Sequence, residues 1–131
     1  MKLSSIETDP AIMEQGEWVK DIPEMEDLEL RVRPLGNDDY RNLHGKLTRA
    51  VPRDKRDRGG IVQEEQDRIQ AKLLAETVLL DWKNLDVAYS KEKAIELMTD
   101  PRFRKFYSAV MYAASVVEEG RKADTDAAAK N

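Results

Sequence analysis

Leu28-Glu29-Leu30-Arg31-Val32-Arg33-Pro34-Leu35-Gly36-Asn37-Asp38-Asp39-Tyr40 contains a change of hydrophobic period. Leu28, Leu30 and Val32 alternate with Glu29, Arg31 and Arg33, the period-two pattern of a strand with one buried face. Pro34-Leu35-Gly36 breaks it. Asn37 is a good N-cap, and Asp38 and Asp39 would sit in a first turn, where the helix dipole favours negative charge. Tyr40, Leu43, Leu47 and Ala50/Val51 then recur at helical spacing until Pro52. A strand feeding directly into a helix of about Asp38 to Val51 makes this an α+β chain.

Upstream, Glu17-Trp18-Val19-Lys20-Asp21-Ile22 reads as a second short strand, and Pro23 with Glu24-Met25-Glu26-Asp27 as the turn between the two. The expected hairpin spans 17–33. A lone hairpin is marginal in water, so its apolar face should lie on helices. Asp9-Pro10 signals a helix start, and Gly16 limits that helix to about two turns.

Downstream, Pro52-Arg53-Asp54-Lys55-Arg56-Asp57-Arg58-Gly59-Gly60 lacks any apolar residue and reads as a mobile, mixed-charge loop. A second helix is expected from about Val62 to Trp82, polar at first, then apolar on most sides (Leu73, Leu74, Val78, Leu79, Leu80, Trp82). Ser90 caps a short helix carrying Ala94, Ile95, Leu97 and Met98, and Asp100-Pro101 repeats the earlier start signal. The last helix has a broad apolar face of Phe103, Phe106, Tyr107, Val110, Met111, Ala113, Ala114 and Val117. The expectation is a mostly α-helical α+β chain with about four to five helices and a small N-terminal β-hairpin. Residues 1–16 form an arm with a short helix, 17–119 one helical domain, and 120–131, polar and small, a flexible tail.

The 131 residues suffice for one core, and no internal repeat is visible. The absence of cysteine excludes disulfides, thiolate-bound zinc and a cysteine nucleophile. No stretch approaches the roughly 20 apolar residues of a bilayer span, and the first residues do not read as a signal peptide, so the chain is expected to stay inside the cell that makes it. Charged residues are 37% of the chain, yet the net charge is only −4. That charge is uneven: the first 30 residues hold nine acids against Lys2 and Lys20, a net −7, and the remainder carries +3. A solvated acidic face is the plainer reading, with a docking arm as the other.

The residues are poor in converging reactive groups. His44, the only histidine, reads as a partly buried helix residue rather than a general acid. The carboxylates fall where helix starts, turns and solvent faces want them, as with Glu64, Glu65 and Asp67. Neither a phosphate-binding glycine loop nor a nucleophile elbow is present. No catalytic residue, cofactor or metal site is therefore assigned. The basic loop Arg53–Arg58 contains two aspartates and no aromatic residue for stacking, so no nucleic-acid partner is expected. Trp82, Phe103, Tyr107 and Met111 extend the apolar stripe beyond what one core needs and are the candidate partner-binding residues.

The same residues in order resemble the tail assembly chaperones of long-tailed, non-contractile bacteriophages. Glu17-Trp18-Val19-Lys20-Asp21-Ile22-Pro23 and Leu28 through Arg41 resemble the opening of those proteins. The likeness continues through Gln66-Asp67-Arg68-Ile69, Thr77 through Leu85, Tyr89-Ser90-Lys91-Glu92, Thr99 through Arg104 and Tyr112-Ala113-Ala114. These are turn, cap and core signals, specific in their order rather than singly.

The resemblance implies a protein of the host cell cytoplasm, absent from the mature virion. Its implied partners are the tape measure protein, which it keeps soluble, and the tail tube protein, reached through a longer frameshifted form where one exists. It also implies weak lateral self-association, through the apolar stripe or the charged loop. It carries no catalytic motif. The rival readings are another phage morphogenesis component, such as a head–tail connector subunit, and a nucleic-acid-associated regulator.

Overall fold

The computed structural model describes the backbone at residues 1–7 and 9–129, with side chains described through residue 119 apart from Thr8. Among the described residues the fold is α+β and mostly helical, with five α-helices, a small three-stranded antiparallel sheet and a two-stranded ribbon. The arm begins with a 3-10 turn, Leu3–Ile6, followed by α1, Pro10–Gln15, which Asp9 caps by accepting the Ala11 amide. Strands β1 (Glu17–Val19) and β2 (Glu29–Val32) pair antiparallel, with Glu17 opposite Val32 and Val19 opposite Leu30. Leu28, Leu30 and Val32 are all buried, as their alternation requires.

Helix α2, Asp38–Arg49, starts at Asn37, whose side chain accepts the Tyr40 amide. The segment after it is more structured than its composition suggests. A 3-10 turn, Arg53–Lys55, leads into a ribbon of β3 (Arg56–Asp57) and β4 (Gly60–Ile61). Polar side chains and glycine shape the ribbon, and its apolar residue Ile61 packs half-buried against Val51, Ile69 and Leu73. The Arg56 guanidinium donates to the Thr48 and Val51 carbonyls at the end of α2, and the Asp57 carboxylate accepts the Gly59 amide. Gly60 supplies the left-handed backbone (φ +106°) that closes the turn.

The expected single helix over Val62–Trp82 is two elements. Helix α3 covers Gln63–Thr77, and Leu79–Lys83 is a strand, β5, on the free edge of β2. The sheet order is thus β1-β2-β5, with the amphipathic strand in the middle. Sheet pairing overrides the helical reading because it satisfies the second edge of β2, because β-branched Thr77-Val78 weakens the helix at its end, and because bulky Trp82 suits extended backbone. The register slips between Arg31 and Val32, which leaves Leu80 as an extra residue. That bulge lets Leu79 and Trp82 both turn inward while Leu80 lies on the opposite face, close to Gly16.

Helix α4, Lys91–Thr99, is capped by Ser90, and a 3-10 turn, Pro101–Phe103, runs into α5, Arg104–Ala129. The main core joins the inner sheet face to α3, α4 and the buried side of α5: Phe106, Val110, Ala113, Ala114 and Val117. A smaller cluster of Val51, Ile69 and Leu73 lies under α2. The backbone of α5 is helical to Ala129, across most of the expected tail 120–131; the side chains of that stretch and its last two residues lie outside the described residues. Among the described residues no helix is long and apolar enough to cross a membrane.

Candidate functional site

Helix α5 is launched by a tight polar device. The Asp100 carboxylate accepts the Arg102 amide at 3.0 Å and is clasped by the Arg102 guanidinium at 2.8 Å. These bonds hold the Asp100 carboxyl below its usual range and the Arg102 guanidinium above its own. The clasp sets the direction in which Phe103 and the first turns of α5 leave the body.

Phe103, at the end of the 3-10 turn, and Tyr107 and Met111 of α5 follow at four-residue steps and so share one edge, beside the buried face of α5. Phe103 is 40% exposed, and Tyr107 and Met111 are half-buried. Arginine covers two of the rings: Arg102 lies 5.4 Å from the Phe103 centroid and Arg104 lies 5.4 Å from that of Tyr107. Burial raises the Tyr107 phenol above its usual pKa; Arg104 opposes that shift, and Asp67 and Tyr40 add to it.

Two open grooves flank these turns. One, of about 380 Å³, lies between α3, the end of α4 and α5. Val62, Ala71, Met98, Pro101 and Tyr107 give its apolar walls, and Lys55, Glu64, Asp67 and Arg104 stand on its rim. Within it the buried Glu65 is paired with Arg68. The other, of about 320 Å³, lies between α5 and the β1–β2 connection. Ile22, Pro23, Met25, Ala109 and Tyr112 line it, with Glu24, Arg104 and Lys105 as its charges. Apolar floors with charged rims suit an extended or helical peptide segment.

The family described as YdaY prophage protein matches residues 35–131, about three quarters of the chain. The chain belongs to the YdaY prophage protein family. It is a phage-related protein. No curated protein and no solved structure matches it. The region shared with the YdaY family begins at Leu35, just after β2, and so contains α2 to α5, strand β5 and the wall of the first groove. The acidic arm and the β1–β2 hairpin precede it.

Of the four residues singled out from the sequence, three come together in this YdaY-family fold and one does not. Tyr107 and Met111 lie along one edge of α5, and Phe103 continues it in the turn that leads in. Trp82 is a core residue, 5% exposed, packed edge-to-face on Tyr89 and Phe106 with ring centroids 5.0 and 5.7 Å away. Its indole N–H donates to the Val87 carbonyl at 2.8 Å. It presents no surface because it belongs to β5, whose inner face is covered by α5. Tyr112, 40% exposed, and Met25 were missed. The signal for Tyr112 was its place outside the i, i+3, i+4 set of buried residues on the last helix. Met25 gave none, because its partner α5 is far along the chain.

His44 is exposed on α2, stacked on Tyr40 with centroids 6.4 Å apart, rather than partly buried. Among the described residues no group of three or more His, Cys, Asp or Glu side chains is placed to hold a metal ion.

Proposed function

We propose that this chain is a tail assembly chaperone, which binds the tape measure protein, keeps it soluble in the host cytoplasm and helps recruit tail tube subunits. The observation that carries the reading is the width of the apolar face on α5. The main core uses Phe106, Val110, Ala113, Ala114 and Val117, yet the apolar surface continues through Met111 and Tyr107, which lines a groove, to the exposed Phe103. A long tail-core protein exposes apolar helical stretches before the tube encloses it, and an aromatic and methionine edge beside a groove can hold such stretches adaptably. Membership of a prophage family and the ordered likeness of residues 17–117 to those chaperones support the same reading.

Co-expression with the tape measure protein of the same phage is the test. The expected result is a soluble client that co-purifies with this chain. Substitution of Phe103 and Met111 by serine should release the client while leaving the fold intact. A client that precipitates beside a soluble, unassociated chain would overturn the reading. So would finding this chain in purified virions, where a connector subunit belongs.

A further inference from the structure

We propose that the groove between α3, the end of α4 and α5 selects a client segment in which one lysine or arginine stands between apolar side chains, and that Glu65 receives the cation. This deepens the chaperone reading and rests on it for the identity of the partner. Glu65 lines the groove and is 8% exposed, the one buried carboxylate among the described residues. It stands in the first turn of α3, where the helix dipole favours a negative charge.

The pairing of Glu65 is half complete. Arg68 donates its Nε, at 2.9 Å, and an Nη to the same oxygen, Oε1. Among the described residues Oε2 accepts no hydrogen bond. It is reachable as well, because the only side-chain atom there that is both sealed from solvent and unpaired is Glu76 Oε2. The Arg68 side chain is 65% exposed, so its charge is shared with water, whereas that of Glu65 is not. A carboxylate kept from bulk water gains most from a charged donor that reaches its idle oxygen.

The remaining charges of the lining answer one another. Asp100 is taken by Arg102, and Glu64 and Asp67 share the rim with Lys55 and Arg104. The rim is thus balanced within the chain, and selection falls to the group inside. Val62, Ala71, Met98, Pro101 and Tyr107 supply apolar wall for the side chains on either side of the cation. At about 380 Å³ the groove has the size of a small ligand pocket and takes a few side chains of the segment.

Selection from a library of random dodecapeptides on the immobilised full chain tests this without any client, so its failure is separate from that of co-expression. The enriched peptides should carry a lysine or arginine flanked by apolar residues. For one of them, fluorescence anisotropy should show binding weakened by about tenfold or more when its cation is replaced by methionine, and by as much on Glu65→Gln. The two losses should not add: on the Glu65→Gln chain the cationic and methionine peptides should bind alike. Asp67→Asn, on the rim, should change binding by less than about fivefold. Raising salt from about 50 to about 500 mM should leave the preference standing, because a buried carboxylate is screened little. The library result on the unaltered chain stands even where Glu65→Gln fails to fold. A library that enriches nothing, or enriches peptides without a basic residue, overturns the proposal. So does a preference that survives Glu65→Gln, or one that disappears with Asp67→Asn or in salt, which would put recognition on the rim.

Discussion

The side-chain amide of Asn37 donates to the backbone carbonyl of Thr77 at 3.1 Å, joining the first residue of one helix cap to the last residue of the helix beside it. Asn37 is 1% exposed and fully used: its amide also reaches the Pro34 carbonyl at 2.7 Å, and its oxygen accepts the Tyr40 amide at 2.8 Å. Arg33 adds a guanidinium contact to the same Thr77 carbonyl. A carbonyl left free where α3 gives way to β5 is thus satisfied from 40 residues earlier in the chain.

Asn37→Ala should therefore cost about 2–4 kcal/mol, combining a lost N-cap with an incompletely paired buried carbonyl. Urea unfolding followed by circular dichroism measures it. A loss below about 0.5 kcal/mol, the ordinary surface range, would show that the junction is not held this way.

Gly16→Ala should destabilise by about 1–3 kcal/mol. Gly16 has φ +71°, and a Cβ there would meet the Val32 carbonyl oxygen at 2.7 Å and the Leu80 methyl at 3.0 Å. Thermal unfolding checks the loss, and Leu80→Ala in the same background should leave most of it, because the closer atom belongs to the backbone.

Glu26→Gly should stabilise by about 0.5–1 kcal/mol by relieving a left-handed backbone at φ +50°. The gain would appear as a raised denaturant midpoint at unchanged slope.

Trp82→Ala should cost about 3–5 kcal/mol, since it opens a cavity between Tyr89 and Phe106. Met111→Ser, on the partly exposed edge of α5, should cost far less, about 1 kcal/mol, while weakening client capture. Measuring both stability and client retention for the two variants separates core from surface. Equal stability losses would place Met111 in the core as well.

Burial raises the phenols of both Tyr89 and Tyr107 above 10.0, with Asp81 adding to the shift at Tyr89. The folded state then holds these protons more tightly than the unfolded one. Their contribution is fully present below pH 10.0 and is lost as pH rises through the raised values. Stability should fall on the alkaline side, and Tyr107→Phe should remove part of that fall. An alkaline limb identical in the variant would count against it.

What the sequence by itself determined is the local grammar. Asp9, Asn37, Ser90 and Asp100 each cap the turn they precede, because a short polar side chain beside an orphan amide acts within three residues. The alternation of Leu28, Leu30 and Val32 and the buried stripe from Phe106 to Val117 are local in the same sense. Tertiary structure alone decided the end of α3. Leu79–Trp82 is as apolar as a helix end, and it became a strand because β2 had a free edge and Asn37 and Arg33 were placed to take the Thr77 carbonyl. It also decided which aromatic residues face out, burying Trp82 and leaving Phe103 at the surface. Periodicity states that a face is apolar; which neighbour covers it depends on contacts between residues far apart in the chain, and no local pattern encodes them.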